Sequence, residues 1–298
     1  MKILLLGANG QVGHELRRSL AGFGTILAAT RSGMLPDGVP CEVADFDQPD
    51  SLRALLERTG PDRIVNAAAY TAVDRAEDDV EAAFRANAQA PAILAMYSAE
   101  RGIPLIHYST DYVFDGRGER PYREEDPTAP LGVYGASKRA GEEAIQMSGA
   151  PHLIFRTAWV YGARGSNFLS TMLRLARERD ELRVVSDQRG TPTPARLIAD
   201  VTAKVIALHP EARGTLHLTA GGETSWHGFA EAIVAGAHRR GLIAERPRVL
   251  PIPSSAYPTR ASRPAYSRLD NGRLESLLGQ PMQVWESGLE QVLDHISP

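Results

Sequence analysis

Lys2-Ile3-Leu4-Leu5-Leu6 runs directly into Gly7-Ala8-Asn9-Gly10-Gln11-Val12-Gly13, and the reading of this junction decides the fold. Ile3–Leu6 reads as a buried strand, the glycines as a tight turn, and Val12, Leu16 and Leu20 as one apolar stripe of the helix that follows. A helix opening on a glycine turn presents unpaired N–H groups and its positive dipole end to a pyrophosphate, and glycine lets the ligand approach the backbone. The spacing is Gly-x-x-Gly-x-x-Gly, which alone would also suit a plain turn. Its place directly after the first strand makes Gly7, Gly10, Gln11, Val12 and Gly13 candidates for holding a dinucleotide.

Outward from this junction, short apolar runs alternate with helical patterns. Thr25–Ala29, Arg63–Ala67, Leu105–Ser109 and His152–Thr157 read as further strands. Helices are expected around Leu52–Leu56, from Val80 to Glu100 and over Tyr134–Met147. Such alternation implies right-handed crossovers and a Rossmann-type, doubly wound parallel sheet. After about residue 160 the pattern loosens. Ser166–Arg179 and Trp226–Arg240 read as helices, Leu182–Val185 and Thr215–Thr219 as strands, and the proline-dense segment Pro247–Pro264 as loop. The expected organisation is therefore α/β. A dinucleotide-binding domain spans residues 1–160, with parts of 185–220 returning to it. A smaller, interleaved C-terminal substrate domain, lid-like, occupies most of 161–298.

The 298 residues include 43% hydrophobic side chains, ample for a core of this size, and carry a net charge of −3. No basic run speaks for nucleic acid, and no apolar stretch approaches membrane-spanning length. The opening apolar run stops at Gly7, too short for a secretion signal. One cysteine, Cys41, excludes an internal disulfide and suits a reducing compartment. A cytoplasmic location is expected. The eight histidines form no metal-spaced cluster, and no metal is assigned.

The end of the second strand should meet the adenosine ribose. An acidic residue there would accept the 2′-hydroxyl of NAD, but Thr30-Arg31-Ser32 stands instead. Arg31 suits a 2′-phosphate, which favours NADPH with NADH as the alternative; a solvated loop arginine is the other reading. Asp45 and Phe46 are placed to border the adenine, or to cap the next helix.

Tyr134 and Lys138 stand at i and i+4, on one face of a helix. There an ammonium can lower the phenol's pKa for proton transfer near neutral pH. Ser109-Thr110-Asp111 closes one strand and Asn66-Ala67-Ala68-Ala69 another, and ligands in open parallel sheets sit beyond those strand ends. A phenol, an ammonium and a strand-end hydroxyl are the parts needed to protonate an alkoxide as a nicotinamide delivers hydride. His107, inside a strand, reads as a satisfied core residue.

Taken together, several runs carry a resemblance: Gly7–Gly13; Asn66-Ala67-Ala68-Ala69-Tyr70-Thr71-Ala72-Val73-Asp74; Ser109-Thr110-Asp111-Tyr112-Val113-Phe114; Val133-Tyr134-Gly135-Ala136-Ser137-Lys138; Phe155-Arg156-Thr157-Ala158-Trp159-Val160-Tyr161; Gly190-Thr191-Pro192-Thr193; and Arg263-Pro264. The chain resembles the extended short-chain dehydrogenase/reductases and, within them, the dTDP-4-dehydrorhamnose reductase family. That resemblance implies NADPH- or NADH-dependent reduction of the C4 ketone of dTDP-4-dehydro-β-L-rhamnose, the last step of dTDP-L-rhamnose synthesis. It implies Tyr134 as proton donor, Lys138 as its electrostatic partner and ligand of the nicotinamide ribose, and Thr110 as a hydrogen-bond donor to the same oxygen. Asp111 and Trp159 would contact the sugar. Ala69, Tyr70, Thr71 and Tyr108 would line the cofactor, and Asn167 and Arg263 would meet the substrate diphosphate. Some relatives bind a divalent metal between subunits through acidic side chains. One falls at Glu15, but Arg196 stands at the second position, and a guanidinium cannot ligate a cation. A monomer or homodimer is expected without that metal.

Other activities share the scaffold. A 4,6-dehydratase would carry Thr-Asp-Glu where this chain has Thr110-Asp111-Tyr112. An epimerase would keep Tyr134 and Lys138 but retain tightly held NAD. A non-catalytic regulatory subunit, like that of methionine adenosyltransferase, shares much of the motif set but generally has additional N-terminal sequence.

Overall fold

The computed structural model describes residues 1–296. Six strands, β1 (Lys2–Leu6), β2 (Thr25–Thr30), β3 (Glu42–Val43), β4 (Arg63–Asn66), β5 (Leu105–Thr110) and β6 (His152–Thr157), join Gly214–His217 in one seven-stranded sheet. Its order is Gly214–His217, β6, β5, β4, β1, β2, β3, and every pairing is parallel. Leu6 pairs with Ala29 on one side and with Asn66 on the other. The strands therefore end level, and the loops at Gly7, Thr30 and Ala67 open on one edge. The order reverses between β1 and β4, the switch point where such sheets receive ligands.

The alternation of side chains along β1 explains the two covering layers. Ile3 and Leu5 face a layer that includes α1 (Gln11–Ser19) and the helix Ala195–Leu208, packing with Leu16, Val65, Ile198 and Val205. Leu4 and Leu6 face the opposite layer, with Leu52, Leu55, Ile64 and Leu94. Ile3, Leu4, Leu5 and Leu6 are all fully buried, each contributing about 1.5–3 kcal/mol of transfer free energy.

A separate apolar cluster joins the helices Phe168–Glu178, Trp226–Arg239 and Trp285–Leu293, centred on Tyr161, Leu169, Phe229 and Leu289. Against it lies a parallel pair, Glu181–Val185 with Arg248–Ile252. This corrects the expectation of loop throughout Pro247–Pro264. Pro251 pairs in register with Val184, and a two-stranded pair leaves each strand an open edge, where proline's missing N–H is tolerated.

Two further differences bear on the site. The continuous helix expected over Val80–Glu100 is Val80–Phe84, a π-helical turn Arg85–Gln89, and Ala90–Arg101; such turns often mark functional positions. The helix Ala195–Leu208 fills a stretch to which the sequence analysis assigns no element. Among the described residues, no helix is long and apolar enough to cross a membrane.

Candidate active site

One cleft of about 870 Å³ runs along the switch-point edge, lined from the glycine turn through the ends of β4, β5 and β6 to Trp226 and Arg263. Its floor is the glycine turn. Gly7 has φ +74°, and a Cβ there would lie 2.6 Å from the Ala68 backbone nitrogen, so only glycine fits. A Cβ on Gly13 would collide with the Gly7 carbonyl. Gly13 thus seats α1 against the turn and does not itself line the cleft, whereas Gly7, Gly10, Gln11 and Val12 do. This bare backbone at a helix N-terminus suits the pyrophosphate of a dinucleotide.

Tyr134, Lys138, Thr110 and Asp111 converge on the same cleft. They come from the end of β5 and the first turns of the helix Val133–Met147. Burial raises the Tyr134 phenol above its ordinary value, while the Thr110 hydroxyl pulls it down. The phenol therefore keeps its proton at neutral pH. Lys138 does not donate to it: Nζ lies 2.6 Å from the Tyr108 carbonyl oxygen and 3.2 Å from His107 Nε2. Burial lowers the Lys138 amine to about 8, against a smaller opposing pull from Glu142. The sequence-based expectation that the ammonium lowers the phenol is replaced here by a burial effect of opposite sign.

Asp111 is 2% exposed. Burial raises its carboxyl to about 6, opposed by the Ser267 and Thr110 hydroxyls. Thr110 Oγ1 donates to Oδ1 at 3.0 Å. Asp111 Oδ2, Ser109 Oγ and Thr157 Oγ1 are buried without partners among the described residues. All three residues line the cleft. Buried polar atoms are almost always paired, so these three atoms are open to polar groups that enter the cleft.

At the far wall the Trp159 indole stacks on Trp226, with ring centroids 3.6 Å apart and planes 5° apart. Trp159 has φ +48°, the one non-glycine residue in the left-handed region among those described. Gly190 makes room for its indole, since a Cβ there would lie 2.7 Å from Trp159 Cε2. Trp226 lies far from every motif in the sequence. Its only signal there was an aromatic opening a helix, which usually means packing.

The remaining candidates divide. Ala69, Tyr70, Thr71 and Phe46 line the cleft. The Tyr70 backbone is clamped by Asn87, whose Oδ1 accepts from Tyr70 N at 2.8 Å and whose Nδ2 donates to Tyr70 O at 3.0 Å. Asn87 belongs to the π-helical turn and went unnoticed in the sequence. Tyr108 borders the cleft, yet its hydroxyl is 2.8 Å from Thr202 Oγ1 inside the core. Arg31 is exposed at the rim, 3.8 Å from Asp45 and 3.7 Å from Asp47. Asp45 lies off the cleft lining, accepting from Asp47 N at 3.1 Å.

Asn167 caps the helix Phe168–Glu178 through Oδ1, and its Nδ2 donates to Gln11 Oε1 and the Gly162 carbonyl, each at 2.9 Å. Asn167 lines the cleft, and its amide, expected to meet a diphosphate, ties α1 to that helix. Arg263 donates to Asp74 Oδ2 at 2.6 Å and to the Tyr112 hydroxyl at 3.2 Å. The ion pair Arg260–Asp78 lies beside it. Away from the cleft, Arg196 lies 3.7 Å from Asp200, and Glu15 lies 3.4 Å from Arg18.

Comparison with known proteins agrees with this geometry. The family model described as RmlD substrate binding domain matches residues 1–297. A dTDP-4-dehydrorhamnose reductase from Burkholderia thailandensis is 48% identical over 296 residues, covering 96% of this chain and 95% of its own length. The crystal structure of a dTDP-4-dehydrorhamnose reductase from Clostridium acetobutylicum superposes with a TM-score of 0.88 at 35% identity, covering 99% of both chains. That of a Bacillus anthracis dTDP-4-dehydrorhamnose reductase in complex with NADP gives 0.88 at 33%, covering 98% of both. On the strength of a match that runs from the glycine turn to the C-terminal helices, this chain belongs to the RmlD family of dTDP-4-dehydrorhamnose reductases.

Proposed function

We propose that this chain reduces the C4 ketone of dTDP-4-dehydro-β-L-rhamnose to give dTDP-β-L-rhamnose. One observation carries the reading: the protonated Tyr134 phenol, Thr110 and Asp111 share a single cleft with the glycine turn. A reduced nicotinamide dinucleotide, held by the turn at Gly7–Val12, supplies the hydride. Tyr134 gives its proton to the C4 oxygen as negative charge develops there. A phenol kept protonated by burial can still protonate an alkoxide, because the alkoxide is far more basic. Thr110 Oγ1 turns its single proton from Asp111 Oδ1 to the same oxygen, an interaction worth a few kcal/mol when aimed at developing charge. Asp111 Oδ2, unpartnered and buried, accepts from sugar hydroxyls, and the paired indoles of Trp159 and Trp226 form the apolar wall. Lys138 orients the nicotinamide ribose.

Arg31 favours NADPH by facing a 2′-phosphate, although Asp45 and Asp47 beside it keep NADH as a usable alternative. Arg263 exchanges Asp74 for the substrate diphosphate. Residues 1–160, with parts of 185–220, form the cofactor domain, and most of 161–298 forms the substrate lid of a cytoplasmic monomer or homodimer. The test is to give the purified protein this ketosugar nucleotide with NADPH and with NADH, following loss of dihydropyridine absorbance. No oxidation with either cofactor would defeat the reading.

A further inference from the structure

Asn66, His107 and Lys138 form a buried chain running from the end of β4 across β5 to the helix Val133–Met147; none is more than 2% exposed. Hydrogen-bond accounting along it restricts protons. Asn66 Oδ1 accepts from Ala68 N at 3.1 Å, which settles which way the amide points: a flipped amide would set two donors face to face. Asn66 Nδ2, a donor only, then lies 3.0 Å from His107 Nδ1, so Nδ1 must accept. Burial lowers the His107 ring well below its ordinary value and keeps it neutral, and a neutral ring with a bare Nδ1 carries its proton on Nε2. That Nε2–H faces Lys138 Nζ at 3.2 Å. An ammonium has no lone pair to receive it; an amine does, and an amine can still donate to the Tyr108 carbonyl at 2.6 Å.

We propose that His107 is a positioning residue for Lys138: held by Asn66 as an acceptor at Nδ1, it turns an N–H on the lysine and favours the uncharged amine. The charge of Lys138 then changes within the working pH range instead of being permanent. The other groups around the amine do not offset this. Tyr134, one turn earlier on the same helix, is neutral. Glu142, one turn later, gives both carboxylate oxygens to Arg156 of β6, at 2.9 and 2.7 Å, and raises the Lys138 amine by less than burial lowers it. Tyr108 contributes its carbonyl, while its hydroxyl points to Thr202. The lowering of Lys138 by burial acts in the same direction. The significance of this device for proton delivery by Tyr134 rests on the proposed reductase activity, but the proton arrangement does not.

The chain has three lysines, Lys2, Lys138 and Lys204, so NMR of protein labelled with 13C-lysine resolves each titration, and Lys138→Met identifies the relevant signal. In the wild type, the Lys138 signal is expected to titrate near the value of about 8. His107→Asn keeps an acceptor for Asn66 at the position of Nδ1 and removes the donor facing Lys138. His107→Gln places an amide oxygen where an ammonium can donate. Both should raise the Lys138 midpoint by about one unit or more, His107→Gln the further. An unmoved or lowered midpoint in the folded variants, or a wild-type Lys138 titrating at the ordinary lysine value of 10.5, overturns the proposal. The experiment reads no turnover. A protein unable to oxidise NADPH would therefore defeat the functional reading and leave this one standing.

Discussion

Asp111→Asn should make this protein more stable above neutral pH while lowering its turnover. The carboxyl is raised from 3.8 to about 6, chiefly by burial, and a pKa raised in the folded state means that folding favours the protonated form. Stability from this group is then fully present below about pH 4 and is lost as pH rises through the folded value near 6. Two units correspond to about 3 kcal/mol at about pH 8, about half of that at about pH 5, and almost nothing below about pH 4. An asparagine at this position removes the buried charge and keeps an oxygen to accept from Thr110. Its amide nitrogen replaces an oxygen that has no partner, and leaving that donor unpaired costs about 1 kcal/mol. The expected gain is therefore about 2 kcal/mol near neutral pH, shrinking or reversing in acid. Urea unfolding of both proteins across this pH range measures it. A variant no more stable than wild type at alkaline pH, or a difference independent of pH, refutes the reasoning. Turnover should fall because the carboxylate oxygen that costs stability is the one offered to the sugar.

Four other outcomes are expected. Tyr134→Phe should abolish most turnover with little change in NADPH affinity, checked by dihydropyridine oxidation and fluorescence titration, because the phenol acts only as charge develops. Arg31→Ala should weaken NADPH more than NADH in direct binding; equal losses would remove the phosphate role. Glu142→Gln should cost about 3–5 kcal/mol in urea unfolding, since Arg156, only 3% exposed, would lose its bidentate carboxylate and remain a buried charge. Gly190→Ala should raise KM for the sugar nucleotide more than for NADPH, because the added methyl would push on the Trp159 indole that Gly190 now accommodates.

The central sheet was legible because local and global signals agree there. Ile3–Leu6 is buried on both faces, so it reads as an unbroken apolar run, and the glycine turn after it has a steric cause visible in the residue type alone. Tyr134, Lys138 and Thr110 were legible for a similar reason: strand ends and a helix start place them on one edge whatever the packing details. The two-stranded sheet at Arg248–Ile252 escaped notice because proline density argues for loop, and only the open edge that the strand keeps among the described residues makes Pro251 acceptable there. Asn87 and Trp226 escaped because a helical pattern accounts for each as an ordinary packing residue; each owes its role to a partner on another segment, Tyr70 and Trp159.

What the residues determined unaided is the kind of chemistry: a dinucleotide turn, a phenol, a lysine and a strand-end threonine at spacings that topology alone brings together. The protonation of these groups was decided only by the tertiary structure. Spacing places Lys138 near Tyr134, but its amine is engaged by a carbonyl and a histidine of β5. Burial, a property of the whole packed layer, sets the directions in which Tyr134, Lys138 and Asp111 shift. Desolvation depends on every atom that excludes water from a site, and no sequence window contains those atoms.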